Sequence, residues 1–234
     1  MRILAFETSA KAASVALLQD GNLLGEYMQN GGQTHSRTVM QMAQDLLKNC
    51  DLSAKDVDAV ACAAGPGSFT GVRIGLAAAK GFAWGREIPL VGVSTLEAMA
   101  RTVAVADGVY CAAMDARRNQ VYTALFQVEN GVFRRLMDDS AISMEELGEK
   151  LLRIAGPKYL VGDGAALCCR GLSVQVPQLY LLPEHLRMQR ASGTALAAWK
   201  KLQAGEVLPA GSVTPNYLRL SQAERERLKK LEME

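Results

Sequence analysis

The sequence predicts an α/β fold made of two similar halves, each of the βββαβα type. A meander of three short strands opens the chain, and a second meander begins directly after Asp107-Gly108. In each half, amphipathic helices and short apolar runs then alternate. This order is that of a duplicated ribonuclease-H-like unit. We therefore expect an N-terminal half over 1–107, a C-terminal half over 108–220 and a charged tail over 221–234.

The first half opens with apolar runs of strand length and a turn at Asp20-Gly21-Asn22. The predicted strands of this meander are 3–6, 14–18 and 23–28. A first helix follows, because apolar residues recur at helical spacing from Val39 to Cys50. Ser68 or Thr70 is placed to cap a second helix, and Ser94 with Glu97 opens a third. The second helix is predicted over 71–84, between strands at 59–64 and 90–93.

The second half repeats this order. Its meander is predicted over 109–114, 121–127 and 132–137, with a turn at Glu129-Asn130-Gly131. Ser143 and Glu146 open a capped helix, and a short strand at 159–161 leads into Gly162-Asp163-Gly164. A late helix is predicted over 191–204. In the tail, Glu226 and Lys230 have the spacing of an exposed helical pair, although a solvated tail is the preferred interpretation.

The composition indicates a globular protein that packs through small residues, since 49% of its residues are hydrophobic and only 6% aromatic. A formal charge of +2 is too small for a protein that binds RNA unaided. The five cysteines form no Cys-x-x-Cys pair and there are only two histidines, so neither a disulfide framework nor a zinc site is predicted. With no apolar run of membrane-spanning length and an acid at Glu7, we expect a cytoplasmic protein.

The most distinctive segment is rich in glycine and runs from Gly65 to Leu76. Backbone amides at such a helix start can bind an anion, but the lysine of a phosphate loop is absent. A second interpretation uses the four-residue spacing of small residues, which leaves one helix face bare and suited to close helix pairing. Pairing is favoured over anion binding. The stripe consists of Gly71, Gly75, Ala79 and Ala83.

Other segments allow two interpretations each. Glu7-Thr8-Ser9 ends the first strand, where an acid and hydroxyls could meet Mg²⁺ and phosphate opposite Asp163, but both segments also suit ordinary turns. Arg117 and Arg118 join two predicted strands and could meet phosphate or a partner carboxylate, or simply form a polar hairpin. No Ser-His-Asp or Cys-His set can be assembled, although Ser68 or Cys62 near His35 stays open.

Several segments together resemble the bacterial TsaB proteins, formerly YeaZ, of the tRNA threonylcarbamoyladenosine pathway. The resemblance covers nearly the whole chain. The segments that carry it are Ile3-Leu4-Ala5-Phe6-Glu7-Thr8-Ser9, Gly65-Pro66-Gly67-Ser68-Phe69-Thr70-Gly71-Val72-Arg73-Ile74-Gly75, Val91-Gly92-Val93-Ser94-Thr95-Leu96, Met114-Asp115-Ala116-Arg117-Arg118-Asn119-Gln120-Val121-Tyr122 and Pro215-Asn216-Tyr217-Leu218-Arg219.

The resemblance implies the duplicated actin/Hsp70-type (ASKHA) fold and a role without chemistry of its own. The catalytic relative TsaD transfers the threonylcarbamoyl group to the adenosine next to the anticodon of tRNAs that read A-starting codons. Its His-x-x-x-His metal pair matches Thr95 and Met99 here, which cannot replace two imidazoles, so no metal is expected. The resemblance implies a scaffold that binds TsaD, or a second copy of itself without TsaD, with TsaE as a third component. Contact with tRNA would come only through the complex, and ATP or ADP at the junction is the one cofactor implied.

The resemblance also maps sites onto this chain. A partner interface is expected on the two helices at 36–49 and 71–84, and a reduced nucleotide site at the cleft. The alternative is a stand-alone actin-like ATP-binding enzyme that uses Glu7 and Asp163, or a glycoprotease-like peptidase. The expected interface residues are His35, Val39, Met42, Ala43, Leu46, Gly71, Arg73, Gly75, Leu76, Ala79 and Ala83. The expected nucleotide-site residues are Glu7, Thr8, Ser9, Gly65, Gly67, Ser68, Gly162, Asp163 and Gly164.

Overall fold

The computed structural model describes residues 1–206 and 209–219, so the predicted charged tail at 221–234 lies outside the described residues. The strands are β1 (Arg2–Glu7), β2 (Ala13–Gln19), β3 (Asn22–Gln29), β4 (Ala59–Gly65), β5 (Leu90–Ser94), β6 (Gly108–Asp115), β7 (Gln120–Glu129), β8 (Val132–Ser143), β9 (Lys158–Val161) and β10 (Leu179–Leu181). The helices are α1 (His35–Asn49), α2 (Phe69–Arg86), α3 (Thr95–Val103), α4 (Met144–Leu152), α5 (Ala165–Leu172), α6 (Glu184–Arg187) and α7 (Ala191–Gln203).

The strands form two five-stranded sheets of identical topology. The first has the order β3-β2-β1-β4-β5 and the second, read in the same direction, β8-β7-β6-β9-β10. In each, an antiparallel meander continues into a parallel pair, β1 with β4 and β6 with β9. Each strand of the second sheet therefore has a counterpart five strands earlier. This arrangement confirms the predicted duplicated ribonuclease-H-like fold.

Both faces of the first sheet are covered at β1, β2 and β4, because these strands are apolar on both sides. Leu4 and Phe6 of β1 point into a core formed with α1 and α2, whereas Ile3 and Ala5 point to the opposite layer. The residues packed on that opposite layer come mainly from α7, including Ala191, and also from α3, through Ala98. Alternate residues of one strand thus serve two separate cores.

The position of α7 corrects the domain boundary predicted from the sequence. Although α7 lies within 108–220, it packs on β1, β2 and α3 of the first half, and Lys201 Nζ donates to the carbonyl of Gly92 at 3.1 Å. Residues 209–219 also return to the first half, where Val213 is buried in the α1–α2 core. The second half therefore ends structurally before α7. Small residues allow α7 to lie close to α3, since a Cβ on Gly193 would lie 2.1 Å from the carbonyl oxygen of Ala98.

The second sheet has α4 and α5 on one face and α3 on the other. Leu96 and Met99 of α3 pack against Tyr110 and Phe126, so α3 lies between the two sheets. The short elements α5, β10 and α6 were not predicted from the sequence, and β8, predicted to end at Met137, continues to Ser143. Within the described ranges, no helix is both long enough and apolar enough to span a membrane.

Candidate functional site

A cleft of about 630 Å³ lies where the two halves meet. It is lined by the β1–β2 turn, the start of α2, the β6–β7 turn, the β9–α5 turn and the last described residues of the chain. Its volume is within the range of small-molecule pockets. The lining residues are Ser9, Ala10, Lys11, Pro66, Gly67, Ser68, Phe69, Thr70, Met114, Asp115, Ala116, Arg117, Tyr122, Asp163, Asn216, Tyr217, Leu218 and Arg219.

The end of β1 is buried, and neither Glu7 nor Thr8 lines the cleft. Glu7 is 0% exposed, and its Oε1 accepts a hydrogen bond from the Ser9 amide at 2.7 Å. The hydroxyl of Thr8 donates to the carbonyl of Gly71 at 2.8 Å. Contact of Glu7 and Thr8 with Mg²⁺ or phosphate therefore stays a prediction that this geometry does not favour. Of this segment, only Ser9 lines the cleft.

Burial has a strong effect on the Glu7 carboxyl. It raises the pKa of Glu7 from 4.5 to about 7, against the opposing influence of the Ser9 amide and of the nearby Ser9 and Thr194 hydroxyls, and the nearby charge of Asp163 adds to the increase. The second oxygen, Oε2, has no hydrogen-bond partner among the described residues. Glu7 is thus an acid that binds a proton near neutral pH inside the molecule.

The glycines of the distinctive segment allow α2 to cross directly over the end of β1. A Cβ on Gly71 would lie 2.1 Å from the Thr8 carbonyl oxygen, one on Gly75 would lie 2.4 Å from Thr8 Oγ1, and one on Gly67 would lie 2.5 Å from the Ser9 carbonyl oxygen. Gly65 has a φ of +110° and faces the carbonyl of Asn216. The spacing is therefore explained by packing within the chain. Gly67 and Ser68 line the cleft, whereas Gly65 is buried.

The predicted partner face needs the same correction. The stripe of Gly71, Gly75, Ala79 and Ala83 is buried against the first sheet, so it is not a surface that a partner can reach. The same holds for four further predicted interface residues, namely Val39, Ala43, Leu46 and Leu76. The physical reason is that the apolar stripe of an amphipathic helix packs against the protein core, so that its residues are buried within the chain. The prediction of an exposed stripe is wrong at these eight positions.

The outer faces of α1 and α2 carry a different apolar surface. Trp84 is 79% exposed and Met40 is 45% exposed, and a groove of about 540 Å³ between the two helices is lined by Met40, Leu47, Leu52 and Phe82, among others. Met42 is half-buried, and the ring nitrogen Nε2 of His35 is 2.8 Å from the carbonyl oxygen of Ala10. We call Met40, Phe82 and Trp84 the outer ridge. Met40 was predicted to suit a partner surface, but Phe82 and Trp84 were not, because single exposed aromatics give no periodic signal.

The end of β9 does reach the cleft, through Asp163 alone. Gly162 and Gly164 are buried, and a Cβ on Gly162 would lie 2.1 Å from the carbonyl oxygen of Ala113. Asp163 Oδ1 accepts a hydrogen bond from Gln189 Nε2 at 2.8 Å. Loss of solvent around the carboxyl raises the pKa of Asp163, and the charge of Asp115 contributes in the same direction. Gly65 and Gly162, which end equivalent strands, both have positive φ values.

The last described residues form a strap along the cleft, which we define as 213–219. The Asn216 amide donates to the carbonyl of Ala64 at 2.7 Å, and the Tyr217 ring stacks on Phe69 with centroids 4.7 Å apart. Arg73 lies 3.8 Å above the Phe69 ring and donates to the Tyr217 hydroxyl at 2.8 Å. The exposed Arg73 is therefore held by an aromatic pair. At the other end, Arg219 Nη1 donates to the Ala116 carbonyl at 2.9 Å, which connects the strap to the second half.

The described residues offer no assembled catalytic set. Ser68 Oγ accepts the Gly71 amide of its own helix, and burial raises the pKa of Cys62 to about 12 and that of Cys111 to about 11. Thr95 and Met99, which the resemblance matches to the metal pair of TsaD, are both buried. Within 1–206 and 209–219, no cluster of three or more acidic, histidine or cysteine side chains is placed to hold a metal ion.

Comparison with known proteins identifies the family. The family model described as "TsaD: tRNA N6-adenosine threonylcarbamoyltransferase" matches residues 26–227. The chain is 33% identical over 225 residues to the tRNA threonylcarbamoyladenosine biosynthesis protein TsaB of Bacillus subtilis, covering 96% of both chains. It is 39% identical over 167 residues to TsaB of Escherichia coli, covering 70% of this chain and 72% of that protein. The chain belongs to the TsaB family.

The fold of the TsaB family is also found among solved structures. YeaZ from Pseudomonas aeruginosa superimposes with a TM-score of 0.76 at 28% identity, covering 93% of this chain and 99% of that one. The two chains therefore share one fold over nearly their whole length. The resemblance drawn from the sequence motifs is confirmed.

Proposed function

We propose that this chain acts in tRNA threonylcarbamoyladenosine biosynthesis as an accessory subunit of a TsaD-type transferase. The observation that carries the proposal is its match to TsaB of Bacillus subtilis over 96% of both chains. A tRNA N6-adenosine threonylcarbamoyltransferase of Nitratidesulfovibrio vulgaris (strain DP4) is also 30% identical to 67% of this chain, which spans 49% of that protein. The accessory subunit and the transferase are thus related in sequence.

The contacts inside the chain support an accessory role. Glu7 and Thr8 are occupied by internal hydrogen bonds, and the positions of the metal pair hold the buried Thr95 and Met99. The stand-alone actin-like enzyme would need Glu7 beside a bound Mg²⁺, which its enclosure opposes. The peptidase alternative would need an activated nucleophile, and Cys62 is held as a thiol by its burial.

We infer that the outer ridge is the surface that binds the transferase. Trp84 on α2 and Met40 on α1 both expose large apolar side chains, Met40 at the groove between the two helices, and tryptophan is enriched at interface hot spots. In the absence of the transferase, the same surface would pair with a second copy of this chain. TsaE would bind to the TsaB–TsaD pair, and tRNA would be contacted only through the complex. ATP or ADP at the junction stays a prediction, because a junction is built from more than one chain.

The role can be tested by a threonylcarbamoyl transfer assay with the transferase, TsaE, tRNA and the threonylcarbamoyl adenylate. Product should form at an appreciable rate only when this chain is added. This chain by itself should form none. Full transfer by the other components without this chain would rule out the accessory role, and transfer by this chain alone would make it an enzyme.

The surface is tested by Trp84→Ser combined with Met40→Ser. Binding of the transferase should weaken at least about tenfold, the effect of losing one hot-spot side chain. Tyr180→Ser is the matched control, because Tyr180 is also an exposed aromatic side chain, at 51%, but lies on β10 of the second half. Unchanged affinity in the double variant, or equal losses in both, would place the interface elsewhere.

A further inference from the structure

The strap is held to the first half by its main chain only as far as Asn216. Val213 is buried in the α1–α2 core, and the Asn216 amide donates to the Ala64 carbonyl at 2.7 Å. Gly65 permits this close approach, because a Cβ there would lie 2.7 Å from the carbonyl oxygen of Asn216. The first part of the strap is therefore firmly attached beside the end of β4.

The last three residues of the strap are held in a different way. Among the described residues, no hydrogen bond between backbone atoms involves these three. Tyr217 is 40% exposed and is held through its side chain, by the stack on Phe69 and the hydrogen bond from Arg73. Arg219 is held by the hydrogen bond from its guanidinium to the Ala116 carbonyl. Local opening costs least free energy in segments that make few buried contacts.

These three residues also form one side of the cleft. Tyr217, Leu218 and Arg219 all line it, and Leu218 is half-buried there. Ala116, which Arg219 contacts, belongs to the β6–β7 turn of the second half, whereas Arg73 belongs to α2 of the first half. The segment therefore reaches from one half to the other along the cleft.

We propose that residues 217–219 are a latch that closes the cleft and opens by local rotation about Asn216, without separation of the two halves. In the closed state, Arg73 holds the latch to the first half and Arg219 holds it to the second. Opening breaks both contacts and leaves the attachment of 213–216 in place. Because Arg73 is exposed, one of the two contacts can be reached from outside the cleft. The latch is formed by this chain alone and does not depend on the proposed function.

The latch is tested by the reactivity of a thiol placed on it. Leu218→Cys, in a full chain that also carries Cys50→Ser and Cys169→Ser, is labelled with a maleimide and followed by intact mass. The other three cysteines are buried, so they should stay unlabelled while the chain is folded. The labelling rate is divided by that of the same thiol in urea, which gives the open fraction. We expect the folded chain to react at least about tenfold more slowly than the unfolded one.

Two arginine variants of this labelled chain identify the contacts that close the latch. Arg219→Gln and Arg73→Gln should each raise the labelling rate about tenfold, since each removes a hydrogen bond from a charged donor. Thermal stability should change little, because only the end of the strap is released. Arg118→Gln is the matched control and should leave the rate unchanged, because Arg118 lies in the same turn as Ala116 but does not line the cleft.

The proposal requires a faster reaction in both variants and not in the control. If the parent chain reacted as fast as the unfolded one, the segment would be permanently open. If neither variant or only one reacted faster, the segment would not be a latch closed on both halves. An equal increase in the control, or increases that follow a loss of thermal stability, would assign the labelling to general loosening of the fold. Each of these results overturns the latch and leaves the transfer assay unaffected, so the two proposals fail separately.

Discussion

The two halves place the same turn in opposite surroundings. Glu7 ends the central strand β1 and Asp115 ends its counterpart β6, and both strands are followed by a turn into an antiparallel partner. The first turn lies beneath the long helix α2, which crosses it through glycines, and Glu7 is fully buried. In the second half the helix at the equivalent position, α5, has only eight residues, and Asp115 is exposed. Identical topology therefore does not produce equivalent sites.

The difference is visible in the backbone as well. Arg117, Arg118 and Asn119 have φ values between 56° and 61°, three consecutive residues in the left-handed region. Such conformations are unfavourable for side chains other than glycine and persist where the surroundings hold them, often at functional sites. Asp115 and Arg219 provide contacts that hold this turn. The first half thus supplies a packed floor to the cleft and the second half a charged rim.

The largest expected effect tests the packed floor. Gly71→Ala should destabilise the protein by about 4 kcal/mol, because the new Cβ would lie 2.1 Å from the Thr8 carbonyl oxygen and force backbone apart. Gly81→Ala, on the same helix with nothing within 4 Å, should instead stabilise by up to about 1 kcal/mol. Urea unfolding measures both. A small loss for Gly71→Ala would mean that α2 can move away from β1.

This result also separates folding from partner binding. A stripe exposed for docking would tolerate added side chains in the isolated chain and lose only affinity. The buried stripe predicts loss of the fold first. Variants of Gly71 or Gly75 are therefore unsuitable as probes of the interface, and the outer ridge provides the appropriate ones.

A smaller effect tests the contrast between Glu7 and Asp115. The pKa of Glu7 is about 7 in the folded chain, whereas its ordinary value is 4.5. Between pH 4.5 and pH 7, the folded chain therefore holds a proton on Glu7 that the unfolded chain has released. Stability should therefore fall as the pH rises from about 4.5 to 7, by about 3 kcal/mol in total, and stay level above that range. Glu7→Gln should remove this slope and be the more stable protein at pH 8.

The control for this experiment is Asp115→Asn, at the equivalent strand end of the second half. It should leave the slope in place, because Glu7 is unchanged. Thermal unfolding at a series of pH values between 4 and 8 gives the comparison. A slope that survives in Glu7→Gln would assign the proton to another group.

Much of this fold could be predicted from the sequence, and the limits have physical causes. The meanders were predictable because apolar runs and turn residues are local signals, as at Asp20-Gly21-Asn22 and Glu129-Asn130-Gly131. The surface on which α7 packs was not, since an apolar helix face fits either sheet. The direction of the α2 stripe was ambiguous for the same reason. The spacing of small residues shows that one face of α2 is bare. The tertiary position of Thr8 shows that β1, and not a partner, lies against that face.

The candidate site was predictable only in part. Ser9, Gly67, Ser68 and Asp163 line the cleft, because strand ends and helix starts meet at one edge of a parallel pair, and their binding of nucleotide stays a prediction. Glu7 was misplaced because a side chain at the last position of a strand can point to either face. The strap was not predicted as a wall of the cleft, because its contacts with Phe69 and Ala116 join residues far apart in sequence.

The smallest effect tests how firmly the halves are joined. Glu97 of α3 is 15% exposed at its side chain and accepts hydrogen bonds from Arg101 at 2.8 Å and from Arg135 of β8 at 3.2 Å. Burial opposes ionisation, but the two arginines outweigh it and lower the pKa of Glu97. Glu97→Gln should therefore cost about 1 kcal/mol at pH 7, and the cost should shrink as the pH falls below the ordinary value of a glutamate.

Glu149 and Arg153 form the matched surface pair for this measurement. They have the same four-residue spacing, but their charged atoms are 3.9 Å apart and both side chains are more than half exposed. Glu149→Gln should change stability by no more than about 0.5 kcal/mol. If the two glutamine variants had equal effects, the contact from α3 to β8 would contribute no more than a solvated ion pair. The halves would then be joined mainly by the apolar packing of α3 between the sheets and by the strap.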